Sequence, residues 1–319
     1  MAEFSFHRIL VDPLVTVVGS GRGDLWPGIV YTSLVADGRP VHVLIYSSWY
    51  LERHLPRIVE TVERAVTRFP HMRFTILAAT EEEENQARAR GFDSFLCNHN
   101  CFLNERLIYP EPNVPKIYDA VFNSRLVPFK RPELAVQVGR LAVITGGYQI
   151  DNEYAAKTLS AFRDLAYCNY KPGSGVLRYL DAEQVRRILV QSYCGLALSA
   201  EEGAMYASAE YLLAGLPVVT TASRGGREAF FHSDYVTTVA DDPGAVAAAV
   251  NDFKRRNVDP VVIRNRTIAL FREHRRRMVA RLSELAQCDL FPLADHAMWL
   301  PQFKHQMRTR MKINLPAVD

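Results

Sequence analysis

The chain has 319 residues, and its hydrophobic content of 48% is sufficient for two cores, so two domains are the first expectation. No apolar run approaches the roughly 18 residues of a membrane span, no signal peptide is evident, and the five irregularly spaced cysteines favour a reducing, cytoplasmic location. The net charge is +3, but residues 251–319 hold 14 Lys and Arg against 7 Asp and Glu, which leaves +7 there and −4 elsewhere.

The first predicted unit is a βαβ element with a glycine-rich turn. Its parts are strand Leu14–Val18, loop Gly19–Asp24, helix Pro27–Ala36 and strand Val41–Tyr46. A dinucleotide fingerprint would need glycine where Asp24 stands, and an acidic residue after the second strand, where Tyr46-Ser47-Ser48 follow. The turn therefore does not predict NAD binding, although Gly21 still favours close approach of a ligand.

Two helices and two strands complete the first domain, at Leu51–Phe69, Arg73–Ala78, Glu81–Arg90 and Phe95–Cys97. Cys97, His99 and Cys101 then alternate along the chain, which could suggest a metal site. Because no fourth ligand stands at a recognised spacing, a structural role is favoured. The proline-rich linker Glu111–Pro115 follows, so the predicted domains are residues 1–113 and 114–259.

The second domain is predicted to be a doubly wound parallel sheet. Strands at Ile117–Phe122, Leu141–Thr145 and Val176–Tyr179 alternate with helices at Glu153–Leu165 and Ala182–Ser192, the last with Asp181 as its N-cap. Ligands of such sheets bind at the carboxyl ends of the strands. Gly146 and Gly147 directly follow one strand and are therefore candidate binding residues.

The loop Asn123–Ala135 follows the domain's first strand and contains Arg125 and Lys130. A guanidinium fork and a point-charge ammonium are a suitable pair for a diphosphate. Taken without the rest of the chain, these residues would more simply be two solvated cations on a loop.

The stretch Leu196–Phe231 carries the strongest functional signal. It predicts strand Leu196–Ser199, helix Ala204–Ala214, strand Leu216–Thr221 and then a loop with Gly225 and Gly226.

Glu202 precedes this helix and Glu210 lies inside it, about 12 Å further along the helix axis. The helix N-terminus near Gly203 and Ala204 offers free N–H groups to a phosphate, and the two carboxylates could contact a sugar and a ribose. A capping acid and a surface glutamate would explain the same pattern.

The chain then continues with strand Val236–Val239, helix Pro243–Asn251 and the basic helical segment Pro260–Leu285. Arginines 275–277 and the stretch Lys304–Lys312 could meet an anionic lipid surface or nucleic acid, although a solvated helix face explains them more simply.

The motif stretch resembles the retaining glycosyltransferases of family 4, whose signature is E-x7-E followed by A-x-G-x-P-V-V. Glu202, Glu210 and the run LLAGLPVV match it, and Glu228 follows the two glycines. The segment Cys97–Pro110 resembles the family's interdomain passage, in which Asn98 or Asn100 matches the family asparagine. The loop Asn123–Ala135 resembles G-R-L-x-x-x-K-G, with Ser124 in place of the first glycine.

This resemblance implies a GT-B fold, in which two Rossmann-like α/β domains face a cleft, here with a short N-terminal domain. It implies retaining transfer of a sugar from a nucleoside-diphosphate sugar to an acceptor hydroxyl, with the departing phosphate helping to deprotonate the acceptor and with neither metal nor other cofactor. The acceptor could be a glycan, a lipid, a small molecule or a nucleic acid. Residues 260–319 are expected to cross back to the N-terminal domain, where their basic helices could contact an anionic surface such as a membrane.

By the same resemblance, Arg125 and Lys130 would hold the donor diphosphate, Glu202 the transferred sugar and Glu210 the ribose. The remaining candidate substrate-binding residues are Gly203, Ala204, Gly146, Gly147, Gly21, Asn100, Gly225 and Gly226. Two alternatives stay open, namely another GT-B enzyme such as an epimerase or phosphorylase, and a non-catalytic sugar-nucleotide module serving a partner transferase.

Overall fold

The computed structural model describes residues 2–20, 24–146, 152–171, 176–290 and 310–313. In these residues the chain forms two α/β domains, each built on a six-stranded sheet, and one long helix that lies against both.

The N-terminal domain is built from one run of parallel strands with helices between them. Its elements are β1 (Ala2–Leu10), β2 (Leu14–Ser20), α1 (Trp26–Ala36), β3 (Val41–Ser47), α2 (Leu51–Arg68), β4 (Met72–Ala78), α3 (Glu81–Ala89) and β5 (Asp93–Leu96). Strands β2 to β5 are parallel and adjacent in chain order, whereas β1 pairs antiparallel with β2. Strand β1 was not predicted, because His7 and Arg8 interrupt its apolar residues.

The C-terminal domain contains a fully parallel sheet. Its elements are β6 (Ala120–Asn123), β7 (Leu141–Ile144), α4 (Asn152–Ala161), β8 (Leu165–Cys168), β9 (Tyr170–Lys171), β10 (Val176–Leu177), α5 (Ala182–Val190), β11 (Gly195–Ala197), α6 (Tyr206–Leu213), β12 (Val218–Thr221), β13 (Val236–Val239) and α7 (Pro243–Arg255). The sheet order is β13-β12-β11-β6-β7-β8. In chain order this is the 3-2-1-4-5-6 arrangement of doubly wound folds, whose topological switch point lies between the first and fourth strands, here β6 and β11.

Three predictions in this domain are corrected. Helix α4 ends at Ala161 and the strand β8 begins at Leu165, so the predicted helix through Leu165 was too long. The predicted sheet strand Val176–Tyr179 is the short β10, which forms a two-stranded hairpin with β9. Helix α6 begins at Tyr206 rather than at Ala204, because the chain before it is extended at Met205 and held against the neighbouring domain.

Helix α8 (Pro260–Ala286) joins the two domains. It packs against α6 of the C-terminal domain and against β5 and the 3-10 turn His99–Phe102 of the N-terminal domain. Buried Phe271 and Met278 belong to a hydrophobic cluster that also contains Phe102 and Tyr211, so one core continues across the domain boundary. Each such buried side chain contributes about 1.5–3 kcal/mol.

Polar contacts fix the same helix to the segment that leads out of the N-terminal domain. Arg275 donates to the Cys101 carbonyl at 2.7 Å and pairs with Glu105, and Arg264 donates to the carbonyls of Ile108 and Leu213 at 2.6 and 2.7 Å. Further along, β14 (Arg310–Ile313) pairs antiparallel with β1 at the edge of the N-terminal sheet. None of the helices formed by the described residues is both long and apolar enough to cross a membrane.

Candidate functional site

The candidate site lies at the switch point of the C-terminal sheet, where ligands of doubly wound folds bind. Asn123 ends β6, and its side-chain amide donates to a Glu210 carboxylate oxygen at 3.1 Å. The Asn123 backbone N–H donates to the Tyr211 hydroxyl at 2.7 Å. Helix α6 therefore presents buried Glu210 to the carboxyl end of β6, although Asn123 and Glu210 are 87 positions apart in the sequence.

Lys130 and Glu202 form a buried ion pair beside this point. Lys130 ends the 3-10 turn Pro128–Lys130, and its ammonium donates to Glu202 Oε2. The Ser199 hydroxyl donates to the same oxygen at 2.9 Å. Burial lowers the pKa of Lys130, and the facing Glu202 carboxylate opposes that effect. The residues predicted to bind the diphosphate and the sugar are thus brought into direct contact with each other.

Arg125 lies on the same loop and is half-buried. Its guanidinium carbon is 5.0 Å from the centre of the Phe129 ring, and the Lys130 ammonium is 5.4 Å from the same centre. The Trp49 ring of the N-terminal domain meets Phe129 edge-on, with 4.9 Å between the ring centroids. The two cations therefore lie beside Phe129, at a place where aromatic rings of both domains meet.

Two arginines that the sequence analysis did not single out form hydrogen bonds to residues around the site. Arg131 donates to the Leu198 carbonyl and the Thr221 hydroxyl, both at 2.6 Å, and makes a two-point contact with Asp241. Arg227 is 1% exposed and donates to the carbonyls of Ser199 and Thr221. Their position in loops after parallel strands was the available signal, but it does not distinguish them from solvated arginines.

The predicted glycines mainly face the N-terminal domain. A Cβ atom added to Gly203 would lie 2.8 Å from the backbone of Ser48 and Trp49, and one added to Gly226 would overlap the Ala79 side chain. Gly225 has a φ of +100° and contacts the Glu202 carbonyl. The backbone of the N-terminal domain fills the space beside Gly203, and contact of this glycine with a substrate stays a prediction.

The other predicted positions are distributed around the same edge. Ala204 is buried in the extended segment before α6, whereas Gly146, after β7, has open space where a Cβ would stand. Gly21 and Gly147 lie outside the described residues.

Both candidate asparagines contact the C-terminal domain, so the ambiguity between them has a structural origin. Asn98 donates through its side chain to the Gly226 carbonyl at 2.8 Å, and Asn100 donates to the Met205 carbonyl at 2.9 Å. His99, between them, packs against the rings of Tyr46 and Tyr206. Burial lowers the pKa of His99 to about 3, so this imidazole is neutral. Cys97 and Cys101 are buried alongside, and the described residues contain no group of three or more potential metal ligands.

A buried carboxylate positions the N-terminal loops that reach the site. Glu83 accepts hydrogen bonds from the backbone N–H groups of Leu51 at 3.1 Å and Ala79 at 2.8 Å. These groups begin α2 and follow β4, next to the segments that contact Gly203 and Gly226. Burial raises the pKa of Glu83, and the two backbone bonds oppose the shift.

No protein-family model and no curated protein sequence matches this chain. Solved structures do match it at low sequence identity. Anabaena HepE in complex with UDP has a TM-score of 0.58 and 11% identity, with 84% of this chain and 78% of that chain covered. Sucrose-phosphate synthase from Thermosynechococcus elongatus has a TM-score of 0.53 and 14% identity, with 85% and 98% covered.

A third match is the pneumococcal O-GlcNAc transferase GtfA in complex with UDP and GlcNAc. Its TM-score is 0.52 and its identity 12%, with 80% of this chain and 55% of that chain covered. At these identities the likeness concerns the fold, and it agrees with the two facing α/β domains found here. The predicted fold class is therefore confirmed: the chain has the GT-B fold.

Proposed function

We propose that the protein is a glycosyltransferase that moves a sugar from a nucleoside-diphosphate sugar to an acceptor hydroxyl, with retention of anomeric configuration. The observation that carries this proposal is the gathering of Arg125, Lys130, Glu202 and Glu210 at the switch point of the C-terminal sheet. Two cations and two carboxylates at this edge fit a ligand that combines a diphosphate with hydroxyl-rich sugars.

Each residue has a distinct part in the proposed reaction. Arg125 and Lys130 bind the diphosphate and stabilise the negative charge that develops as it leaves. Because Lys130 is paired with Glu202, diphosphate binding requires the ammonium to share or exchange that partner. Glu202 then contacts the transferred sugar, and Glu210, beside Asn123, contacts the ribose.

The matching structures suggest which donors to test first. HepE is described in complexes with UDP and with UDP-glucose, and GtfA in a complex with UDP and GlcNAc. Uridine diphosphate sugars are therefore the first candidates for this chain. The acceptor is proposed to enter the cleft from the N-terminal domain, and the departing phosphate to help remove its proton.

We propose that the chemistry needs no divalent metal. Arg125 and Lys130 supply the positive charge that a metal ion contributes elsewhere in phosphoryl leaving-group chemistry. Activity that survives prolonged treatment with EDTA would support this, and complete loss restored by added Mg²⁺ or Mn²⁺ would contradict it.

The test is to incubate the full chain with a panel of UDP-, GDP- and ADP-sugars and a mixed acceptor library. Release of nucleoside diphosphate, together with a product whose anomeric proton coupling is read by NMR, reports both transfer and stereochemistry. Arg163→Ala is the matched control for Arg125→Ala, because Arg163 is exposed and lies two residues before β8, at the amino edge of the same sheet. A chain that binds no nucleoside diphosphate and releases none from any donor would refute the proposal. Binding without turnover would instead favour the non-catalytic sugar-nucleotide module.

A further inference from the structure

Arg227 is a charged side chain buried behind the candidate site. It is 1% exposed and lies in the 3-10 turn Gly226–Glu228. One guanidinium nitrogen donates to the Ser199 carbonyl and the other to the Thr221 carbonyl, each at 2.6 Å. Ser199 follows β11 and Thr221 is the last residue of β12. Arg227 therefore forms hydrogen bonds at the carboxyl ends of two neighbouring strands.

Ser199 connects this guanidinium to Glu202. Its hydroxyl lies 3.3 Å from Arg227 Nη1 and donates to Glu202 Oε2 at 2.9 Å. The same carboxylate oxygen receives the Lys130 ammonium. Two positive groups therefore act on one oxygen, Lys130 directly and Arg227 through the Ser199 hydroxyl.

Two cations on different loops face Glu202. Lys130 faces it from the loop after β6 and is itself near Arg125, while Arg227 faces it from the turn after β12. Glu228 lies 3.2 Å from Arg227, but its side chain is 44% exposed, so water screens that contact. The neighbouring Glu201 is turned towards Arg53, 3.4 Å away in the N-terminal domain.

Binding of a diphosphate would change which cation faces Glu202. If Lys130 turns to the phosphate oxygens, Glu202 loses its direct cation, and a buried carboxylate without a counter-charge is costly. Arg227 is held by two backbone carbonyls, so its position does not depend on Lys130.

We infer that Arg227 is a positioning residue that, through the Ser199 hydroxyl, holds the Glu202 side chain in place while Lys130 binds the donor diphosphate. This inference rests on the proposed glycosyltransferase function. It adds to that function a second cation for Glu202, together with the serine that transmits its effect.

Ser199→Ala is the decisive variant, because it removes the hydroxyl and keeps the carbonyl that Arg227 binds. The expected affinity for UDP is within about twofold of native, whereas kcat falls roughly tenfold or more, the scale of one hydrogen bond to a charged group. The loss should fall on kcat rather than on KM for the donor, because the contact of Glu202 with the transferred sugar is assigned to the transition state.

Ser208→Ala is the matched control. Ser208 is also a buried serine, and its hydroxyl contacts the Met205 carbonyl and, at 3.4 Å, the Arg227 carbonyl, but not Glu202. It should leave kcat close to that of the native protein. Arg227→Lys is the companion variant, since it keeps the charge without the two-point fork. It should lower kcat as Ser199→Ala does, with UDP affinity again close to native.

The outcomes separate this inference from the proposed function. A native chain that turns over a nucleotide sugar, with a Ser199→Ala variant whose kcat equals that of the native chain, would overturn the inference alone. A Ser199→Ala variant that only loses thermal stability, with kcat unchanged, would also overturn it. A native chain without turnover would overturn the proposed function and this inference with it.

Discussion

The Lys130 side chain shows how tightly stability and binding are linked at the site. Its side chain is 10% exposed and that of Glu202 is 7% exposed, so the pair is largely hidden from water. Removing one partner of a buried pair typically costs about 3–5 kcal/mol, because the other charge is left uncompensated. Variants of Lys130 therefore have to be judged on folded protein, with stability measured separately from affinity.

Arg125→Ala and Lys130→Met should each weaken nucleoside diphosphate binding by about 1.5–3 kcal/mol, the scale of a charge-assisted hydrogen bond. Lys130→Met should also lower the free energy of unfolding, whereas Arg125→Ala should change it little, because Arg125 is only half-buried. Isothermal titration and chemical denaturation measure the two effects. Equal affinity in native, Arg125→Ala and Lys130→Met proteins would show that this loop does not bind the diphosphate.

The two glutamates should differ in which step they affect. Glu210→Gln should weaken the binding of both nucleoside diphosphate and nucleotide sugar, because Glu210 is assigned to the ribose that both ligands contain. Glu202→Gln should leave diphosphate affinity nearly intact and lower turnover by roughly ten- to a hundredfold, because its contact belongs to the transition state.

Titration with the diphosphate and steady-state turnover separate the two glutamate variants, and Glu60→Gln, on the exposed face of α2, is the control. Loss of diphosphate binding in Glu202→Gln but not in Glu210→Gln would mean that the assigned roles are reversed.

At the scale of elements, the loops of the N-terminal domain dock onto glycines of the C-terminal domain. The contact at Gly203 is with the backbone of Ser48 and Trp49, which cannot move aside as a flexible side chain could. Asn98 adds a hydrogen bond to the Gly226 carbonyl at 2.8 Å. The arrangement of the two domains therefore depends on the absence of side chains at these positions.

Gly203→Ala should lower the free energy of unfolding by about 1–3 kcal/mol, the usual cost of overpacking, and should weaken the contact between the domains. Gly244→Ala is the control, because Gly244 lies in the first turn of α7 and its added Cβ would approach only side-chain atoms, those of Asp242 at 3.0 Å and Gln137 at 3.7 Å. Thermal denaturation and proteolysis of the linker 111–115 report the two effects. A Gly203→Ala protein as stable and as resistant to proteolysis as Gly244→Ala would contradict the proposed importance of this contact.

Local signals explain which elements could be predicted from the sequence. Asp181 begins α5 with a capping box that includes Gln184, and β13 spans the predicted residues Val236–Val239. Both depend on neighbouring residues alone. By contrast, the space beside Gly203 is filled by a loop about 155 residues earlier in the chain, and no local pattern identifies such a partner.

The same reasoning applies to the site. The pattern of Glu202, Glu210, Arg125 and Lys130 could be recognised in the sequence, and the structure gathers all four at one sheet edge. The sequence could not show that Lys130 pairs with Glu202 or that Arg227 contacts Ser199, because both contacts depend on how separate loops meet. Contact of the basic residues in the segment 260–319 with an anionic surface stays a prediction.

At the scale of the whole molecule, the two domains are joined through α8 by a hydrogen bond that depends on protonation. The Asn98 backbone N–H donates to His274 Nδ1 at 3.1 Å, so His274 must be neutral at that nitrogen. Its ring packs against Phe230, with 5.3 Å between the centroids. Burial lowers the pKa of His274 to about 4, and nearby Arg277 acts in the same direction. A proton on this imidazole would remove the acceptor and place a charge in the core.

The sign of the resulting pH dependence follows from this lowered pKa. The unfolded chain binds a proton at His274 near pH 6.5, whereas the folded chain resists it down to about pH 4. The stability that neutral His274 provides is therefore complete above pH 6.5 and is lost as the pH falls towards 4, by roughly 3 kcal/mol for this residue. His274→Gln, which cannot be protonated in this range, should flatten that part of the curve.

Urea denaturation at half-unit steps from pH 7.5 to 4.5 measures this flattening, with His232→Gln as the control because His232 is exposed. Buried His99 and His7 should preserve part of the slope, since burial lowers their pKa values to about 3 and about 4. A His274→Gln curve that stays parallel to the native curve throughout would mean that the imidazole is not held neutral at the domain junction.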